Sequence, residues 1–181
     1  MKLLIVVDMQ EDFIYGSLGS PEGRALVEDL VKKVEDFSGQ LVFTLDTHGE
    51  DYLDSQEGQN LPVAHCIKGT GGWDLIAPLK EIAGRGQAWV YEKPSFGSWD
   101  LVEDLARVHE KTPIQSIEFI GVCTDICVVS NALSIKTALP EVPLYVHGDL
   151  CAGTSPQRHQ AALDTLDSCQ VHILREGKKE A

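Results

Sequence analysis

The sequence predicts an α/β protein, a three-layer α/β/α sandwich around a mainly parallel six-stranded sheet. Two observations carry this. Short, continuously apolar runs recur along the chain, as strands buried on both faces do. Between them lie stretches whose apolar residues repeat at helical spacing, and such strand and helix alternation implies a parallel sheet covered on both sides.

The apolar runs are Leu3–Val7, Leu41–Leu45, Ala88–Tyr91, Ile117–Val122, Leu144–Val146 and Val171–Leu174. A first helix is expected over about Glu22–Phe37, where Leu26, Leu30 and Val34 stand four apart on one face. Others are expected over Ser98–Glu110, Asp125–Ala138 and Pro156–Ser168. The stretch from Asp46 to about Gly72 breaks the rhythm. It is polar and Gly-rich, and loops of that length inside compact domains usually carry function or are disordered. No repeat, low-complexity tract or linker divides the chain, so residues 1–181 are read as one domain.

Composition narrows the partners. The 181 residues include 43% hydrophobic residues, ordinary for a globular domain with a sizeable core. A net charge of −13 argues against nucleic acid and anionic membranes. No apolar run approaches the roughly 20 residues of a membrane span. The N-terminus shows no secretory cleavage pattern. Five cysteines, an odd count without the spacing of a disulfide scaffold, suit free thiols in a reducing compartment. The expectation is a cytoplasmic protein acting on a small molecule, with homo-oligomer formation left open.

Ligands of open parallel sheets bind beyond the carboxyl ends of the strands. The residues that close the apolar runs are reactive ones. Asp8 follows the first, Asp46 and His48 the second, Glu92 and Lys93 the third. Cys123, Thr124, Asp125 and Cys127 follow the fourth, and Asp149 and Cys151 the fifth. Cys127 falls in the first turn of an expected helix, where free N–H groups and the helix dipole stabilise a thiolate and can hold an oxyanion. The alternative is a buried structural cysteine. A redox pair of Cys123 with Cys127 lacks the thioredoxin-type spacing. Asp8 needs a partner at the end of an apolar strand, and Lys93 can supply one. The pair is either structural or a base with its cation. Asp46 and His48, two apart at a strand end, leave the same face. With His65 and Glu57 they make a mixed N/O set for Zn, Mn or Fe.

Several motifs together resemble the isochorismatase-like cysteine hydrolases, and within them the nicotinamidases. They are Asp8-Met9-Gln10-Glu11-Asp12-Phe13, Asp46-Thr47-His48, His65-Cys66-Ile67-Lys68-Gly69-Thr70, Lys93-Pro94-Ser95-Phe96 with Trp99, and Gly121-Val122-Cys123-Thr124-Asp125-Ile126-Cys127-Val128. The resemblance spans about Leu3 to Leu174. It implies a catalytic triad of Asp8, Lys93 and Cys127, and a cis peptide before Cys123 that turns the N–H groups of Cys123 and Cys127 into an oxyanion hole. It also implies one divalent transition metal, zinc first with manganese or iron as alternatives, on Asp46, His48 and His65. The remaining ligand is Glu57 or Asp54: the family has either a His where Asp54 stands or a Glu where Glu57 stands. Thr47 stands where an aromatic is common. Phe13, Phe96 and Trp99 are expected to pack on the substrate ring.

The expected activity is hydrolysis of nicotinamide to nicotinate and ammonia through a thioester on Cys127. The competing readings are a family member acting on a carbamoyl, ureido or other small amide, and a non-catalytic small-ligand binder. A flavin or nucleotide binder is disfavoured, because Asp8–Asp12 is acidic where a phosphate loop would lie.

Overall fold

The computed structural model describes residues 1–175. The last six residues of the expected single domain lie outside the described residues. Six strands form one sheet: β1 (Lys2–Val7), β2 (Gln40–Asp46), β3 (Trp89–Lys93), β4 (Ser116–Val122), β5 (Leu144–Ala152) and β6 (His172–Leu174). Their order is β3-β2-β1-β4-β5-β6, and every pairing is parallel. The helices are α1 (Glu11–Ile14), α2 (Pro21–Ala25), α3 (Val27–Asp36), α4 (Gln56–Asn60), α5 (Ala77–Gly84), α6 (Trp99–Lys111), α7 (Val129–Ala138) and α8 (Pro156–Ser168).

The pleat of β1 distributes its side chains to both faces. Leu3, Ile5 and Val7 pack with Leu101 and Leu105 of α6, Ala132 and Ile135 of α7, and Leu163 and Leu166 of α8. Leu4 and Val6 pack with Ile14 of α1, Leu30 and Val34 of α3, and Leu79 and Ile82 of α5. The continuous apolar run in the sequence is therefore two alternating faces, each roofed by helices. Winding reverses between β1 and β4, and that switch point opens a crevice at the strand ends.

The fold departs from the sequence expectation in local detail. The helix expected over Glu22–Phe37 is interrupted at Leu26, whose own dihedrals stay helical, so the apolar period runs through the break. The helix expected from Asp125 begins instead as a π-helical turn, Thr124–Val128, before α7. Helix α5 was not expected, since eight residues carry little periodicity. Strand β5 runs on to Ala152, so Asp149 and Cys151 lie within it and not after it. Its register against β4 jumps between Phe119 and Gly121, which accommodates the polar His147-Gly148-Asp149 step.

Candidate active site

Three strand ends deliver the central cluster. Asp8 follows β1, Lys93 closes β3, and Cys127 sits in the π-helical turn after β4. Asp8 has φ 48°, in the left-handed region. A non-glycine residue held there costs about 1–3 kcal/mol and commonly marks a functional position. Its backbone N–H donates to the Thr44 carbonyl at 3.2 Å, and the Thr44 hydroxyl donates to Asp8 Oδ1 at 2.6 Å. The Lys93 ammonium stands 2.8 Å from Asp8 Oδ2, 3.4 Å from Cys127 Sγ and 3.1 Å from Asp46 Oδ1. It also donates to the Ser95 carbonyl at 3.1 Å. Asp8 Oδ2 has that ionic contact but accepts no directed hydrogen bond among the described residues.

Asp8 and Lys93 are fully buried, which decides their protonation. Burial disfavours the Lys93 ammonium, but neighbouring charges, that of Asp8 first, outweigh it and favour the protonated amine. Burial raises the Asp8 carboxyl, and Lys93 opposes the rise. Burial, and then the charge of Asp8, pushes the Cys127 thiol well above its ordinary value despite Lys93. Burial and Asp8 thus oppose the thiolate that the helix start and Lys93 favour, and the Asp8 carboxyl stands where it can take the thiol proton. The Val122–Cys123 peptide is cis. Cys123 is partly buried, and burial raises its thiol to about 12. The other three cysteines are free, with Cys66 and Cys151 buried and Cys169 exposed.

A second cluster adjoins the first through Asp46. Ligand atoms of Asp46, His48, Glu57 and His65 all lie within 4.8 Å of one another. Asp46 Oδ2 is 3.0 Å from His48 Nε2 and 3.5 Å from His65 Nε2. Glu57 Oε1 is 3.8 Å from His48 Nε2 and 4.0 Å from His65 Nε2. A tetrahedral metal with bonds of about 2.0–2.1 Å separates its ligand atoms by roughly 3.3 Å, so this N₂O₂ set fits a divalent metal after small adjustments. His65 Nδ1 donates to the Val63 carbonyl at 2.8 Å, which leaves Nε2 as the ligand atom, as a metal-binding imidazole requires. Asp54 is exposed and outside the cluster, so the structure brings Glu57 to the position that the sequence left open. Burial raises Asp46, but hydrogen bonds with His48 and His65 and the charge of Lys93 hold it well below the usual carboxylate range.

The aromatic expectations divide. Phe13 is half-buried and packs edge-on against His65, with ring centroids 5.4 Å apart. Phe96 and Trp99 are 46% and 69% exposed, on the β3–α6 loop and at the start of α6. Both rings are open to solvent at the loop that follows Lys93. Tyr52, which the sequence reading did not single out, lies against both metal-site imidazoles, with centroids 4.6 and 4.9 Å away.

Other supporting residues also escaped the sequence reading. The Gln10 amide bridges the strand ends: its NH₂ donates to the carbonyls of Asp46 and Trp73, and its oxygen accepts from the Asp46 N–H at 2.7 Å. Asp12 accepts the Cys66 N–H at 2.8 Å, fixing the segment that carries His65. Gly72 is needed beside it, since a Cβ there would come within 2.1 Å of Asp12 Oδ2. Asn131 donates to the Cys127 carbonyl at 2.8 Å and accepts the Ser98 N–H at 2.9 Å, joining α7 to the start of α6. Gln10 and Asp12 stand inside a recognisable motif but carry no reactive chemistry, and Asn131 has no sequence signal.

Comparison with known proteins shows the family and the fold. A family profile described as the isochorismatase domain matches residues 2–176. The chain is 27% identical over 189 residues to the nicotinamidase/pyrazinamidase of Mycobacterium tuberculosis, covering 96% of this chain and 98% of that protein. Among solved structures, the pyrazinamidase of Pyrococcus horikoshii in complex with zinc aligns with a TM-score of 0.77 at 26% identity, covering 96% of this chain and 98% of the other. The pyrazinamidase/nicotinamidase of Streptococcus mutans aligns at 0.82 and 26% identity, covering 96% and 100%.

Proposed function

The chain belongs to the isochorismatase family, and from that premise we propose that it is a nicotinamidase, converting nicotinamide and water to nicotinate and ammonia through a thioester on Cys127. It is a hydrolase acting on an amide carbon–nitrogen bond. The observation that carries the finer reading is the single ammonium of Lys93, which touches Asp8, Cys127 and Asp46 at once. It joins a nucleophile and its base to a metal-binding group one side chain away.

Asp8 Oδ2 takes the thiol proton as Cys127 Sγ attacks the amide carbon. The N–H groups of Cys123 and Cys127 receive the oxyanion. As the carbon–nitrogen bond breaks, Asp8 returns the proton to the departing ammonia and leaves a thioester. Water then attacks the thioester carbon, giving up a proton to Asp8. The carbon–sulfur bond breaks, and Cys127 leaves with that proton. Lys93 stays charged throughout and keeps Asp8 and Cys127 in order. Zinc, with manganese or iron as alternatives, held by Asp46, His48, Glu57 and His65, would supply a Lewis-acidic point for the pyridine nitrogen and so orient the amide. Phe13, beside His65, would flank the ring.

The test is an ammonia-release screen over nicotinamide, pyrazinamide and several ureido compounds, using protein of measured metal content. Turnover of the two pyridine-type amides by metal-loaded protein is expected. Preferential turnover of a ureido compound would remove the nicotinamidase assignment, and undiminished nicotinamide turnover by metal-free protein would remove the metal from the mechanism.

A further inference from the structure

We propose that His159 is a positioning residue for the turn that carries the nucleophile, acting through the hydroxyl of Thr124; the inference rests on the cysteine-hydrolase reading above. Thr124 opens the π-helical turn, between Cys123 and Cys127, and is fully buried. A buried hydroxyl requires a partner. Thr124 Oγ1 finds one 35 residues on, at 2.8 Å from His159 Nδ1 in the first half of α8.

The same helix start grips the turn at a second point. Asp125 accepts the N–H of Thr154 at 2.8 Å and its hydroxyl at 2.5 Å. The fit is close: a Cβ on Gly153 would come within 2.8 Å of Asp125 Oδ1 and 2.9 Å of the His159 Cα and Cβ. On the opposite side Asn131 holds the Cys127 carbonyl and Ser130 the Ile126 carbonyl. The turn that presents both the nucleophile and the oxyanion-binding N–H groups is therefore clamped from two sides. His159 is the imidazole of the α8 side. It touches neither the triad nor the metal-site residues among the contacts described, so its effect must pass through Thr124.

This placement separates two kinetic quantities. On the reading above, substrate binding rests on Phe13 and the Asp46–His65 cluster, whose described hydrogen bonds do not go to the turn. The attack geometry at Cys127 does, and a misplacement of about 1 Å can cost on the order of a hundredfold in rate.

The experiment measures ammonia release by His159→Ala, His159→Asn, Thr124→Ala and the His159→Ala/Thr124→Ala double variant, with a thermal melt for each. Expected for His159→Ala is a kcat lowered roughly ten- to hundredfold with KM within about twofold. Asparagine, whose amide can reach the Nδ1 position, should restore most of that loss. The double variant should be no slower than Thr124→Ala, because both changes break one contact. A kcat for His159→Ala within twofold of wild type would overturn the proposal. So would additive losses in the double variant, or a loss in KM instead of kcat. If His159→Ala fails to fold, His159→Asn and Thr124→Ala decide it: near-normal kcat in asparagine with a lowered kcat in Thr124→Ala supports the contact, and any other pattern refutes it. A wild type inactive on nicotinamide would fail the substrate assignment alone. The same series is then read on the amide it does hydrolyse.

Discussion

Replacing Asp8 by Asn distinguishes a structural ion pair from a catalytic one. The substitution keeps the volume of the side chain and an oxygen that can accept the Thr44 hydroxyl, now at 2.6 Å from Asp8 Oδ1. It removes a charge 2.8 Å from the buried Lys93 ammonium. Breaking a fully buried pair can cost about 3–5 kcal/mol when the surviving charge is abandoned. Lys93 is not abandoned, because Asp46 Oδ1 and the Ser95 carbonyl remain, each at 3.1 Å. The expected cost is therefore nearer that of one charge-assisted hydrogen bond, about 1.5–3 kcal/mol. For a domain of this length that lowers the melting temperature by roughly 3–12 °C. The rate should suffer far more, by about 10²–10⁴ in kcat, since Asn can neither take the thiol proton nor return it to ammonia. The thiol itself should titrate at lower pH, because the charge of Asp8 holds Cys127 up while Lys93 draws it down. Iodoacetamide labelling of Cys127 against pH, read peptide by peptide, measures that shift. Turnover within threefold of wild type, with an unmoved labelling profile, would show that Asp8 serves only the fold.

Cys127→Ala should abolish ammonia release, to below about 0.1% of wild type, since losing a nucleophile can cost on the order of 10⁶ in kcat, while circular dichroism and melting stay close to wild type; retained turnover would end the thioester mechanism. Purified protein should contain about one transition metal per chain. His65→Ala should lose it by elemental analysis and lose nicotinamide turnover with it, whereas a metal content unchanged in that variant would dissolve the proposed site. Glu118 tests a stabilising cluster far from the chemistry. Its Oε2 lies 2.7 Å from both His147 Nε2 and Lys33 Nζ, and the hydrogen bond with His147 leads in lowering the carboxyl from 4.5 to about 2. A depressed carboxyl stabilises the fold above its unfolded value and loses that contribution as pH falls from about 4.5 through about 2. Glu118→Gln should therefore cost about 1.5–3 kcal/mol in urea unfolding at pH 7 and much less near pH 2. An equal cost at both pH values would show that the charge is irrelevant.

The sheet was legible because each strand is an apolar run that polar chemistry terminates. Asp8 and Asp46 stand out for the same reason, as charges at the ends of strands buried on both faces, and Lys93 closes the half-exposed edge strand β3. The local periodicity failed where the chain is governed by tertiary contacts. The π-helical turn at Thr124–Val128 carries ordinary helix-forming spacing, and only its anchoring to α8 and Asn131 sets its winding. Phe96 and Trp99 show the limit for aromatics: their motif is readable, but loop geometry decides which way a ring points. Gln10, Thr44 and Tyr52 were missed as site residues because they act on backbone groups and neighbouring side chains brought together only by folding.

The two clusters share one carboxylate, and this constrains how the site can work. Asp46 gives Oδ1 to Lys93 and Oδ2 to both imidazoles. The two clusters gather three carboxyl groups, Asp8, Asp46 and Glu57, around the Lys93 ammonium and two imidazoles. Carboxyl groups crowded together in this way are costly to ionise where they are buried, and a divalent cation would offset that cost. A cation at the imidazoles would relieve Asp46 of part of its negative field on Cys127. Asp46 belongs to both clusters, so a metal at the imidazoles would act on the nucleophile through Asp46 as well as on the substrate.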